Sequence, residues 1–385
     1  MNDEPDPDLT RTEAAVESLA VRSTSLVVIA VLASLYTLYF ARGFFVPIAF
    51  AVLLNFLLSP VIRALTRIKI RPPLGAGIVV VALLAAIGGG VYGLAGPAQS
   101  VAASAPATLT KANGKLRALF LARVQKATSQ VEKAAGTLGD SVGEKPKREV
   151  VVNSEPSIGS RILGTTQVIV AAVLEITFLL YFLLAAGDLF LQKFVKVLPE
   201  SDDKQKAVNI ARAVESAVSA YLTATLLMNL GEGVVVALLL WALGVPSPAL
   251  WGALVMLAEF IPYLGALTAV VLLGLAGLTT FDNVWHALLV PGAFLFVNLI
   301  QSNLVSPSLL GRRLTLNPVA IFIGLTFFFW IWGVAGAFLA VPLLASLKIF
   351  CDHIESLAAL GEFLGARDDT ERRAIVRTDI PVAER

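Results

Sequence analysis

An all-α polytopic membrane protein is the fold class this chain specifies, and three observations lead there. Its 385 residues are 57% hydrophobic and only 15% charged, with a mean hydropathy of +0.79; no soluble domain of this size has that balance. The apolar residues gather into runs long enough to span a bilayer. Two further runs, Pro248–Leu278 and Pro318–Phe350, are too long for one crossing. As continuous helices they would measure roughly 45 to 50 Å, against a hydrocarbon core of about 30 Å.

Both over-long runs carry helix breakers near the middle. These are Ile261-Pro262-Tyr263-Leu264-Gly265 in the first and Trp332-Gly333-Val334-Ala335-Gly336 in the second. Interrupted helices expose backbone groups that lipid cannot satisfy, and they persist only inside protein or beside a water-filled cavity. A solute pathway is therefore the first functional reading.

Six single spans are expected at Ser25–Ala41, Phe44–Ile62, Leu74–Gly96, Ile162–Gly187, Val218–Leu243 and Val284–Val305. With the two broken hairpins, re-entrant or double-crossing, they make about eight membrane segments. Arg63, Arg67, Lys69 and Arg71 follow the second span with no acid among them. The excess of basic residues on the cytoplasmic side places this loop, and the N-terminus, inside. Arg312 and Arg313 fall on the same side only if Pro248–Leu278 enters and returns, and the same logic leaves the C-terminus cytoplasmic.

The expected organisation is a cytoplasmic tail over 1–24, three spans over 25–96 and an extracytoplasmic amphipathic segment over 97–160. A transport core follows over 161–350, with a cytoplasmic helix at 188–217, and then a cytoplasmic tail over 351–385. Within the outer segment, Leu109, Leu116, Phe120, Val124 and Val131 recur with helical spacing opposite Lys111, Lys115, Arg123 and Lys126. This face packs on a neighbour or lies on anionic lipid. Gly136–Ser160, rich in Gly, Pro and charge, reads as a loop.

Asn229-Leu230-Gly231-Glu232 resembles Asn298-Leu299-Ile300-Gln301, and Gly265-Ala266 matches Gly336-Ala337. One span followed by one broken hairpin, repeated, would give two units inverted in the membrane, a plan common among secondary transporters.

Ionisable groups at membrane depth are expensive and are candidates for function. Glu232 lies three residues after Asn229, on the same helix face, and is either a proton or cation site or a hydrogen-bond partner of another helix. Glu259 immediately precedes the first break, where it either holds freed backbone amides or a polar solute. Glu175, mid-span, is either a third relay member or a packing residue. The run Phe327-Phe328-Phe329-Trp330-Ile331-Trp332 reads as a lipid or packing surface beside the second break.

Several classes are excluded or disfavoured. The net charge of +2 gives no reason to expect nucleic acid. Cys351 is the single cysteine, and His286 and His353 are the two histidines, so no cofactor or metal is expected. There is no phosphate-binding Gly-rich fingerprint. No pairing of a nucleophile with a base marks an enzyme.

Three stretches carry a resemblance to a known family. They are Phe260-Ile261-Pro262-Tyr263-Leu264-Gly265, the run from Ser306-Pro307-Ser308 through Gly311-Arg312-Arg313 to Asn317-Pro318, and Trp332-Gly333-Val334-Ala335-Gly336-Ala337-Phe338-Leu339-Ala340-Val341-Pro342. Together they resemble the autoinducer-2 exporter family of bacterial membrane proteins, and the likeness extends over most of Ser25–Leu364. Many relatives have Gly-Pro where this chain has Gly265-Ala266, and many have Glu where it has Gln301. The resemblance implies a homo-oligomeric inner-membrane transporter; some members export small signalling molecules and others exchange sodium for protons.

The expected function is therefore export of a small polar solute, autoinducer-2-like, driven by protons. A sodium/proton antiporter and a non-transporting scaffold are the rivals. The expected pathway is Asn229, Glu232, Glu259, Pro262, Tyr263, Gly265, Asn298, Gln301, Gly333 and Gly336. Glu232 would carry the coupling proton or sodium ion, with Tyr263 and Asn298 orienting the solute.

Overall fold

The computed structural model describes residues 25–132, 158–187, 189–197, 201–310 and 316–366. The expected N-terminal tail, the expected C-terminal tail from 367 onward, the Gly136–Ser160 loop apart from its last residues, and Arg312 and Arg313 lie outside them. Every long element is a helix, and the fold is an all-α polytopic membrane protein. Six helical stretches among the described residues are long and apolar enough to cross a bilayer: Arg42–Arg67, Pro72–Ala103, Gln167–Ala186, Lys204–Ala242, Val284–Leu309 and Val334–Asp352. Four shorter apolar helices accompany them: Ser25–Phe40, Pro248–Ala258, Leu264–Thr280 and Pro318–Trp332.

The chain divides into two compact units, one of 55–315 and one of 1–54 with 316–385. In the first, α2 (Arg42–Arg67) continues past the boundary, α3 covers Pro72–Glu132 and α4 Ile158–Ala186. A short α5 (Leu189–Val197) precedes α6 (Ser201–Ala242), then α7 (Pro248–Ala258), α8 (Leu264–Thr280) and α9 (Val284–Ile300). A π-helical turn, Gln301–Val305, and α10 (Ser306–Leu310) extend α9.

Two expected boundaries fall within continuous helices. The third span and the amphipathic segment after it form a single helix of 61 residues, about 90 Å long. The expected 188–217 helix is divided: α5 is separate, and the remainder is continuous with the fifth span through 42 residues of α6. Charge had marked an interface at Lys204, Lys206 and Arg212, but a helix crosses an interface without interruption when its backbone bonds are internal.

The core of this unit lies among α6 to α9. Val236 and Leu240 meet Val245, Trp251, Val255, Leu273, Val290 and Phe294, all buried. The turn between α6 and α7 is fixed by Trp251, whose indole N–H donates to the Pro246 carbonyl at 3.2 Å. Helices α6 and α7 come together where both present glycine. A Cβ on Gly233 would sit 2.6 Å from the Gly252 carbonyl oxygen, and one on Gly252 would strike the Gly233 carbonyl in return.

The second unit holds α1 (Ser25–Phe40), the start of α2, α11 (Pro318–Trp332), α12 (Val334–Asp352) and α13 (Ala358–Leu364). Asn317 caps α11, its side chain accepting from Val319 N at 3.0 Å, with Pro318 at the first helical position, where its missing N–H is harmless. The Asn317 N–H donates to the Leu364 carbonyl at 2.9 Å, which ties α13 to the start of α11. Cys351 is fully buried between these elements.

Candidate functional site

The first over-long run is broken where the sequence places the breakers, but the break starts two residues earlier. Helix α7 ends at Ala258 and α8 begins at Leu264. Between them, Tyr263 has φ 64° and ψ −49°, and the Leu264 N–H donates back to the Pro262 carbonyl at 2.7 Å. This is a γ-turn of the rarer kind, with positive φ at its centre, and it is strained for any residue bearing a Cβ. Gly265 follows because a Cβ there would collide with the Ala258 carbonyl oxygen.

A break leaves amides without helical partners, and α6 supplies one substitute. Asn229 is 2% exposed. In the amide orientation that suits both neighbours, its Oδ1 accepts from Phe260 N at 3.2 Å and its Nδ2 donates to the Thr225 carbonyl at 3.2 Å. Asn229 thus holds the end of α7 in place.

One turn further along the same face stands Glu232, 3% exposed. Asn298 of α9 donates from Nδ2 to Glu232 Oε1 at 3.2 Å and to Glu259 Oε1 at 3.3 Å. One amide therefore holds two carboxylates, one from α6 and one from the break that follows α7. Glu232 Oε2 is buried and has no hydrogen-bond partner among the described residues. Gln301, the first residue of the π turn, stands close enough to Glu232 to interact with it. The two matched tetrapeptides of the sequence, 229–232 and 298–301, thus face each other across this cluster.

Of the ten expected pathway residues, five converge here: Asn229, Glu232, Glu259, Asn298 and Gln301. Pro262 and Gly265 shape the break beside them. Tyr263 is 56% exposed, and its contribution to the break is its backbone. Gly333 and Gly336 belong to the other unit. There Gly333, with φ 64° and ψ −146°, separates α11 from α12. Glu175 is exposed on α4 rather than gathered with the other acids.

Sequence reading missed Thr225, which is buried and backs Asn229; its spacing of four from Asn229 was the available signal. The π turn left no legible pattern. Ring stacking around the second break was foreshadowed by the aromatic run: Trp330 stacks on Tyr39 at 6.1 Å, and the Trp332 N–H donates to the Leu38 carbonyl at 3.0 Å.

Long apolar helices, a helix broken in the midst of an apolar run and a pair of carboxylates on a shared amide, one buried and one half-buried, define a polytopic membrane protein of the transporter class. Residues 28–356 match the AI-2E family transporter family, and the chain belongs to that family. It is similar to the AI-2 transport protein TqsA of Escherichia coli K12, 32% identical over 188 residues that cover 46% of this chain and 54% of TqsA. The Escherichia coli K12 protein YhhT is 31% identical over 148 residues, 38% of this chain and 42% of YhhT. The chain thus spans about half the length of these two relatives. A Haemophilus influenzae protein, 25% identical over 367 residues, is matched along 91% of this chain and 99% of its own length.

Proposed function

We propose that this protein is a secondary transporter that exports a small polar organic solute, autoinducer-2-like, across the bacterial inner membrane at the expense of the proton gradient. The carrying observation is the pair Glu232 and Glu259 on the single donor Asn298, with Glu232 Oε2 left without a partner. A buried polar atom without a partner costs about 1–3 kcal/mol, and more when charged. A fold that retains one at membrane depth has a use for it, and a carboxylate oxygen is where a proton or a small cation binds.

In this reading α7 with α8, and α11 with α12, are membrane hairpins, giving about eight membrane segments in two inverted repeats. Both termini are cytoplasmic, and the assembly is homo-oligomeric. The break at 259–263 offers backbone groups to the solute, with Asn298 orienting it and Asn229 bracing the end of α7. Gln301 contributes an uncharged group where many relatives carry an acid. Pro262, Tyr263, Gly265, Gly333 and Gly336 keep the two breaks open. The name of TqsA supports autoinducer-2 as the chemical class.

The test is proteoliposomes of the purified chain loaded with a pH dye. Addition of an autoinducer-2-like solute is expected to move protons in wild type and not in Glu232→Gln. Proton movement on sodium alone, with none on the organic solute, would instead establish the sodium/proton antiporter, which the same two acids also favour. Wild-type rates in both Glu232→Gln and Glu259→Gln would remove the coupling role.

A further inference from the structure

A second polar site stands apart from the carboxylate pair, in the same unit, and its chemistry is the reverse. A cavity of about 620 Å³ opens where α2, α5, α6 and α10 meet. Its polar wall carries Arg63, Arg212, Glu215 and Ser219, and its apolar wall includes Leu227 and Leu309.

Glu215 is already engaged. It accepts from Arg63 Nη1 at 2.7 Å and from the Ser59 hydroxyl at 3.1 Å. Arg212, one turn before Glu215 on α6, has no ion-pair or hydrogen-bond partner among the described residues. Among the described residues the lining therefore holds two guanidinium groups against one carboxylate, and the uncompensated charge is positive. Ser219, one turn beyond Glu215, is 6% exposed. Its hydroxyl lines the cavity without an internal partner among the described residues. The hydroxyl oxygen opens to the cavity rather than being sealed from it, so it is placed to bond a ligand oxygen there.

The geometry points to a binding site for a phosphate group in this cavity, held by Arg212 and Ser219, with Arg63 fixed beside it by Glu215. The planar fork of Arg212 suits two phosphate oxygens at once, and the remaining donors of Arg63 add a second positive edge. Cavities of this size hold small organic ligands, and Leu227 and Leu309 offer the uncharged part of the ligand an apolar wall. The phosphate belongs either to a soluble phosphorylated compound or to the headgroup of an anionic phospholipid. The site does not depend on the transport reading.

The experiment uses the full chain in phosphatidylcholine nanodiscs, titrated calorimetrically with glycerol 3-phosphate and, as the neutral control, glycerol. In parallel, native mass spectrometry counts phosphatidylglycerol retained by the chain from nanodiscs that contain it. One of the two probes is expected to bind saturably, and Arg212→Gln to weaken that binding by about tenfold or more, as loss of a charge-assisted contact does. Arg212→Lys is expected to restore part of it. Binding of glycerol 3-phosphate identifies a soluble ligand, and retention of phosphatidylglycerol alone identifies a lipid. Because Arg212 is exposed, both variants are expected to melt with wild type. Binding of neither probe, or binding that Arg212→Gln leaves unchanged, would overturn the proposal.

Discussion

The two helix breaks solve one backbone problem by different means. At Gly333 the chain turns from α11 to α12 through a single residue with φ 64° and ψ −146°, a conformation that glycine adopts without penalty. Around it stand aromatic rings and one indole bond to the Leu38 carbonyl. Between α7 and α8 the positive φ falls instead on Tyr263, which pays about 1–3 kcal/mol for it. Polar side chains surround this break, with Asn229 on Phe260 N and Glu259 on Asn298. The contrast separates an interruption that merely redirects a helix from one kept under strain beside ionisable groups. Strain of the second kind is of the sort that clusters at functional sites.

The largest expected effect is at the shared donor. Asn298→Leu leaves two carboxylates without their common amide, and solute-driven proton flux in proteoliposomes is expected to fall about a hundredfold, equivalent to roughly 3 kcal/mol. No single substitution at the Gly333 break is expected to match this with the fold retained, and one that did would erase the distinction. Next, Gly265→Ala and Gly336→Ala are both expected to destabilise by about 1–3 kcal/mol, read as melting temperature in detergent. In each a new Cβ meets a carbonyl oxygen, of Ala258 and of Phe328 respectively. Unequal losses would show that one break can relax.

Two substitutions at the positive-φ residues should have opposite signs. Gly333→Ala is expected to cost about 1–3 kcal/mol, while Tyr263→Gly is expected to gain about 1 kcal/mol of stability as the strain is released. A loss in Tyr263→Gly would mean that the ring, though exposed, is needed. The smallest effect is Trp332→Phe, which removes one indole donor and is expected to cost about 1 kcal/mol in melting experiments with transport retained.

How much of this was legible beforehand follows from what each feature depends on. Breaks at Pro262 and Gly333 could be read because proline and glycine act on their own backbone. Glu232 and Glu259 stood out because charge in an apolar run is rare. That Asn298 holds both could not be read, since the Glu232 and Glu259 positions lie 66 and 39 residues away from it and apolar periodicity gives no pairing of helices. The long continuous α6 was missed because lysine and arginine mark where lipid ends, whereas helix ends are set by capping and by breakers. Arg63 with Glu215 went unread for the same reason as Asn298: the partners lie 152 residues apart.

One consequence of the Asn298 amide is arithmetic. An NH2 group has two hydrogens, and two acceptors already draw on this one, a carboxylate oxygen of each glutamate. A newcomer that takes a hydrogen from this nitrogen must evict a carboxylate, and a returning carboxylate must evict the newcomer. Whatever oxygen-bearing guest reaches the Asn298 nitrogen therefore competes with Glu232 and Glu259 for a supply of two, and a guest that takes one hydrogen leaves one carboxylate held and the other released.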